Sequence, residues 1–151
     1  MIDGVVIKQL ERRADERGYL MEMLRSDDDV FVSFGQSYIA LNYPGVIRAW
    51  HFHKKQEDIF ICVKGMIKAV LYDSREGSST HGEVNEFFMG DSNPILLKIP
   101  VGVMHGYKTI GTEPSLLVNF PTLSYNHEEP DEFREPYDSE KIPYSWDIKF
   151  T

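Results

Sequence analysis

Short apolar stretches rich in Val, Ile, Leu, Phe and Tyr recur about every ten residues along this chain, separated by Gly, Pro, Asn, Asp and Ser. A rhythm that short leaves no room for long helices, and the turn residues reverse the chain at each interruption, so antiparallel β structure is expected. Residues 5–10 and 19–24 flank a polar turn at 11–18, and 37–42 runs into a Pro44-Gly45 turn. Further strands are expected at 47–53, 59–63, 67–72, 83–89, 95–99, 107–109 and 115–120. About ten short strands fit two sheets closed into an all-β jelly-roll β-barrel.

The 151 residues are the length of one domain, so 1–151 is read as a single unit. Its last part, 126–151, carries Pro130, Pro136 and Pro143 among many acids. It is expected to lie on the barrel as a loop, with Trp146 as its apolar anchor. Sixteen Lys+Arg against twenty-four Asp+Glu leave a net charge of −8, which disfavours phosphate backbones and anionic lipid surfaces. Neither nucleic acid nor membrane is therefore an expected partner. The start of the chain has no basic segment followed by a long apolar core, so a cytoplasmic location is expected. Cys62, the single cysteine, sits within an apolar run and is read as a core residue.

His51 and His53 form a His-x-His pair, and alternation along a strand would point both rings to one face. Asp58 follows five residues after His53, and His105 closes the segment Pro100-Val101-Gly102-Val103-Met104-His105. The pattern Gly45-x5-His51-x-His53-x4-Asp58-x6-Gly65, then Pro100-x-Gly102-x2-His105, resembles the two motifs of the cupin superfamily. That resemblance implies a small jelly-roll barrel in which His51, His53, Asp58 and His105 could hold one divalent metal. Three imidazoles and a carboxylate suit Zn, Ni, Fe(II), Mn or Co.

A closer resemblance covers most of the chain. Glu16-Arg17-Gly18-Tyr19-Leu20-Met21-Glu22, then 45–52, then 73–82, then Ile99-Pro100 through Tyr107 occur in the order found in dTDP-4-dehydrorhamnose 3,5-epimerases. Those are metal-independent, dimeric cupin enzymes that invert carbons next to a C4 ketone of a nucleotide sugar. The resemblance implies a catalytic base at His51, a second pocket histidine at His105, and groups for the nucleotide diphosphate and sugar at Arg17, Glu22 and Arg48. It also implies a homodimer, with Arg17 and Glu22 serving the neighbouring subunit, and no required cofactor. An α-proton becomes acidic enough for an imidazole only where the developing enolate is stabilised, and arginine can grip two phosphate oxygens at once.

Three positions depart from that pattern. Gln56-Glu57-Asp58 places an acid where the family has a lysine, and Asn119 stands where the family has the tyrosine that returns a proton. Asparagine cannot act as a general acid, so Asn119 is read as substrate-binding, with Tyr125 and Tyr72 left as candidate donors. The aspartate that orients the catalytic histidine lies in a C-terminal extension that this sequence does not reach. A metal held by His53, Asp58, His105 and His51 would replace the missing lysine as a Lewis acid. The facing of Lys68 and Lys98 is left open, and Asp73-Ser74-Arg75 is read as a structural turn. The leading expectation is an epimerase or ketoisomerase of a nucleotide-linked 4-keto-6-deoxy sugar. A metal-dependent cupin isomerase or oxygenase, and a non-catalytic sugar-nucleotide-binding cupin, are the alternatives.

Overall fold

Alternation along the central strands determines how the chain closes. In the strand Asp58–Lys64 (β6), Phe60 and Cys62 point between two sheets while Ile59 and Ile61 point outward into a second apolar cluster. Both faces are covered, which is why 59–63 reads as one continuous apolar run. The computed structural model describes residues 1–149, and no helix forms among them. The remaining strands are Val6–Gln9 (β1), Arg12–Asp15 (β2), Gly18–Met21 (β3), Tyr38–Asn42 (β4), Ile47–Phe52 (β5), Met66–Tyr72 (β7), Val84–Gly90 (β8), Ile95–Ile99 (β9), Met104–Ile110 (β10), Ser115–Asn119 (β11) and Phe133–Arg134 (β12).

One five-stranded sheet has the order β1-β9-β6-β11-β4, the other β12-β5-β10-β7-β8, and every pairing is antiparallel. The two sheets face each other as a jelly roll. Ile67, Leu71, Met89, Leu97, Ile99 and Leu117 fill the space between them. The outer face of the β6 sheet is covered by Leu10 and Val30, with Met21, Met23 and Leu24 packed beside them. The outer face of the β5 sheet, at Trp50 and Val70, is covered by Ile142, Tyr144 and Trp146 from the C-terminal segment.

Trp146 anchors that segment as the sequence implies. Its ring lies 5.1 Å from that of Trp50, and both indole N–H groups donate to the Tyr137 carbonyl, at 3.1 and 3.3 Å. The segment is not all loop, however. β12 pairs with β5 through Phe133↔Phe52 and Arg134↔His51, adding an edge strand to the sheet. Two residues are too few to produce a period-two signal. Residues 150–151 of the expected tail lie outside the described residues.

The polar turn expected at 11–18 is a second correction, since β2 and β3 pair there as a hairpin. Its residues are mostly exposed and polar, so no apolar alternation marks the first strand. The Arg12 guanidinium lies 4.7 Å over the Tyr19 ring and ties the two strands together. The Asp73 turn is structural, as expected. The buried carboxylate accepts bonds from Arg75 Nε at 2.8 Å and from the Ser78 and Thr80 hydroxyls, each at 2.6 Å. The Arg75 bond, followed by those hydroxyls, holds Asp73 well below the usual carboxylate range despite its burial.

Trp146 is only 5% exposed, so Trp146→Ala should cost roughly 3–5 kcal/mol of stability, the range for truncating a large buried aromatic. Urea denaturation of the variant beside the parent measures it, and a change under about 0.5 kcal/mol, typical of surface sites, would refute the anchoring role.

Candidate active site

One extra residue in β5 decides which side chains face the interior. His105 pairs with His51 and Tyr107 with Arg48, so two steps along β10 match three along β5. Strict alternation would put Arg48 and His51 on opposite faces; the bulge returns both to the inner one. Gly106 permits it, because a Cβ there would come within 2.3 Å of the Ala49 Cβ. Arg48 and His51 therefore line one cavity of about 610 Å³ between the sheets, while Trp50 faces outward to the C-terminal segment.

The β5 sheet contributes Arg48, His51, His105 and Tyr107 to this cavity; Tyr38, Asp58, Phe60 and Leu117 come from the opposite sheet. Arg48 Nε donates to the Asn42 side-chain oxygen, and the Asn42 amide donates to the Tyr107 hydroxyl at 3.1 Å. These bonds fix the arginine stem against the wall.

His51 Nδ1 lies 2.9 Å from Glu132 Oε1. The carboxylate selects the tautomer with hydrogen on Nδ1 and leaves Nε2 as the basic nitrogen. Arg134 donates to the same Glu132 oxygen from Nε at 3.0 Å and from Nη2 at 2.8 Å. Burial holds the His51 imidazole below its ordinary range, outweighing the lift from Glu132, so the ring is neutral near pH 7 and able to accept a proton.

His53 and His105 are held differently. His53 Nδ1 bonds the Asp131 carbonyl, and His105 Nδ1 lies 3.1 Å from the Val103 carbonyl. Each carbonyl can only accept, so each Nδ1 carries a hydrogen. Both Nε2 atoms then face one oxygen, Asp58 Oδ2, at 3.2 and 3.3 Å. Gln56 Nε2 donates to the other Asp58 oxygen at 3.0 Å. Two imidazole lone pairs against one carboxylate oxygen would repel, so this cluster is built around a positive charge, either protons on the rings or a metal cation. Burial opposes ionisation of Asp58, but its bonds to His105 and His53 prevail and hold the carboxyl far below the usual range. Burial likewise lowers the His53 value, and Asp58 more than restores it, leaving it raised.

His51, His53, Asp58, His105, Arg48 and Tyr125 all line the cavity. Of the four residues expected to hold a metal, the structure gathers three: the donor atoms of His53, Asp58 and His105 lie within 4.8 Å of one another, and His51 stands outside that group with its Nδ1 on Glu132. Asn119 does not reach the cavity as a substrate group. It is fully buried, its Oδ1 accepting the Ile59 N–H at 3.0 Å and its Nδ2 donating to the Tyr38 hydroxyl at 2.9 Å. Arg17, in the turn of the β2–β3 hairpin, and Glu22, just after it, pair with Asp15 and Arg25 and do not line the cavity of their own chain. Tyr72 packs with the cluster around Trp50 on the far face, which excludes it as a donor here, and Lys68 lies beside Tyr144 and Trp146. Lys98 pairs with Glu57 at 3.0 Å.

Glu132, its partner Arg134 and Tyr38 escape sequence reasoning. Glu132 supplies a carboxylate to His51, but nothing in an acidic run distinguishes it from Glu128 or Glu129. Tyr38 is identified only by strand register, directly opposite Asn119. Because Glu132 raises the proton affinity of His51, Glu132→Gln should lower the His51 pKa further. Titration of the imidazole signals by NMR checks this; an unchanged or raised value would contradict the pairing.

With the geometry established, comparison with known proteins is specific. The family model described as dTDP-4-dehydrorhamnose 3,5-epimerase matches residues 1–150. The chain is 45% identical over 150 residues to the spore coat polysaccharide biosynthesis protein SpsL of Bacillus subtilis, covering 99% of each. It is 47% identical to the probable low-salt glycan biosynthesis epimerase Agl13 of Haloferax volcanii, covering 98% of this chain and 96% of that one. The crystal structure of a dTDP sugar isomerase from Desulfovibrio desulfuricans superposes with a TM-score of 0.91 at 32% identity, over 96% of this chain and 92% of that chain. A full-length family match, two relatives above 40% identity and a jelly-roll cavity built around His51 and His105 lead to one conclusion: the chain belongs to the dTDP-4-dehydrorhamnose 3,5-epimerase family.

Proposed function

We propose that this enzyme takes a nucleotide-linked 4-keto-6-deoxy sugar and inverts a carbon adjacent to the ketone, at C3, C5 or both, with His51 as the base. The observation that carries this reading is the His51–Glu132 pair: a neutral, tautomer-fixed imidazole lining a cavity large enough for a sugar ring. His51 Nε2 takes the α-proton, the C–H electrons move toward the ketone oxygen, and Glu132 stabilises the imidazolium that forms. The cluster of His53, Asp58 and His105 faces the same cavity, and a cation held there, whether ring protons or a metal, would favour the enolate. Arg48 and Arg134 supply charge for a diphosphate in a chain that is otherwise net acidic.

A homodimer completes this reading. β4 is an edge strand whose Ile39 and Leu41 are 69% and 53% exposed, an apolar row of the kind a second copy covers. Arg17 and Glu22, remote from their own cavity, would then serve the partner's. Nucleotide-sugar chemistry of this type belongs in the cytoplasm.

Turnover in heavy water tests the reaction. With a dTDP-, GDP- or UDP-linked 4-keto-6-deoxy sugar, mass spectrometry should find deuterium at C3 or C5. His51→Asn should slow its entry by roughly 10²–10⁴-fold, the usual worth of a general base. Failure to exchange with all three nucleotide sugars would replace this reading with that of a binding module.

A divalent cation in the His53–Asp58–His105 cluster is the second reading, favoured by the ring tautomers. Metal-bound histidines characteristically donate their other N–H to a carbonyl or carboxylate, as both rings do here. Donor separations of 3.2 and 3.3 Å also match the edge of a tetrahedron with bonds of about 2.0–2.1 Å. His53, Asp58 and His105 would hold the ion, which when bound supplies Lewis-acid charge at the cavity wall. The metal reading predicts about one equivalent of a divalent metal in protein purified without a histidine tag, and its loss in Asp58→Asn. Elemental analysis giving less than roughly a tenth of an equivalent leaves protons as the charge in the cluster.

A further inference from the structure

We propose that Tyr38 is the proton donor that completes inversion, delivering its phenolic hydrogen to the ring face opposite His51. This assignment rests on the epimerase reading above.

Inversion requires a proton to leave one face of a planar enolate and another to arrive on the opposite face. His51 lies on β5 in one sheet and Tyr38 on β4 in the other, and both line the cavity between them. A sugar enolate lying parallel to the sheets thus has the base on one side and a phenol on the other. The two other cavity tyrosines do not meet this requirement. Tyr107 belongs to β10, in the same sheet as His51. Tyr125 lies outside the strands of both sheets, with its ring edge-on against His127 at 4.9 Å.

The bond from Asn119 leaves the Tyr38 hydrogen available. Asn119 Oδ1 is fixed by the Ile59 N–H, so its Nδ2, which can only donate, is the atom that meets the Tyr38 oxygen. The phenol accepts that hydrogen and keeps its own for another acceptor. Burial pushes the Tyr38 hydroxyl up to about 12, against the opposing influence of Asn119, so the group remains protonated at neutral pH. The Asn119 bond also lowers the cost of the phenolate that donation leaves behind.

The step balances. The substrate C–H bond breaks, its proton goes to His51 Nε2 and its electron pair to the enolate. The Tyr38 O–H bond then breaks as a new C–H bond forms on the far face. Water finally reprotonates the phenolate and removes the proton from His51, so no oxidant or co-reactant enters.

Tyr38→Phe should separate two events that are coupled in the parent. In heavy water with a 4-keto-6-deoxy nucleotide sugar, NMR follows deuterium entry and configuration together. Inversion should fall by at least about 100-fold, whereas exchange with retained configuration continues, because His51 can return a deuteron to the face it took a proton from. Tyr107→Phe and Tyr125→Phe should keep exchange and inversion coupled. Inversion at the parental rate in Tyr38→Phe, an equal loss of both events, or uncoupling in Tyr125→Phe would overturn the assignment. Should Tyr38→Phe not fold, fluorotyrosine at position 38 preserves the packing. It should move the alkaline limb of inversion to lower pH, and an unmoved limb would count against the donor role. If the parent neither exchanges nor inverts, the epimerase reading itself fails and takes this assignment with it.

Discussion

The extra residue of β5 opposite Gly106 is the constraint on which the rest of the site depends. It turns Arg48 and His51 to the same face and sends Trp50 to the other. Outside, Trp50 is the platform for Trp146 and Tyr144, and that packing holds the C-terminal segment against the sheet. The held segment pairs with β5 as β12, which brings Glu132 to His51. A backbone irregularity of one residue thus links the inner and outer faces of a strand: the apolar contact outside positions the carboxylate that orients His51 inside. Without the bulge, alternation would place either Arg48 or His51 in the outer apolar cluster, where an unpaired charge or imidazole is costly to bury.

The three histidines of the cavity show how the acceptor at Nδ1 determines what Nε2 can do. A carboxylate at Nδ1 of His51 both orients the ring and stabilises its protonated form, which suits a group that must gain and lose a proton each cycle. Backbone carbonyls at Nδ1 of His53 and His105 orient those rings with less charge compensation, and the compensation is placed on the other side, at Asp58. A neutral imidazole at His51 and the His53–Asp58–His105 cluster therefore coexist in one cavity, with the His51 and His105 rings 6.3 Å apart. Their environments, more than their residue type, separate the two roles.

Much of this was legible in the chain. Recurrent short apolar runs gave the antiparallel barrel, and the spacing of His51, His53, Asp58 and His105 gave four side chains that do line one cavity. What the chain concealed has identifiable physical causes. The β2 strand is polar on both faces, and β12 is two residues long, so neither carries a periodic signal. Glu132 acquires meaning only after β12 pairs with β5. Strand alternation does not reveal that the Asn119 amide is turned to the Ile59 N–H and the Tyr38 hydroxyl, away from the cavity lining.

The departures from the family pattern take on a different meaning once register is known. Asn119 occupies the place of a tyrosine, yet its direct partner across the β11–β4 ladder is Tyr38, and the two side chains are hydrogen-bonded. On the proposed reading the phenol is supplied from the same sheet, one strand over, with the asparagine as its hydrogen-bond donor. Asp58, which the resemblance sets in the place of a lysine, gathers two imidazoles around one oxygen, and on the proposed reading a cation held there would supply the positive charge. Glu132 places a carboxylate 2.9 Å from His51 Nδ1, where on the proposed reading it would orient the base. Enolate chemistry requires a base, a positive field and a proton on the far face at certain points in space, and is indifferent to which strand carries each. A position-by-position comparison scores each of the three as a loss, whereas cross-strand pairing can deliver the same group to the same point from a neighbouring backbone. The residues expected to vary together in such a site are therefore ladder partners such as Tyr38 and Asn119, because a change in one alters the space and the hydrogen-bonding capacity available to the other.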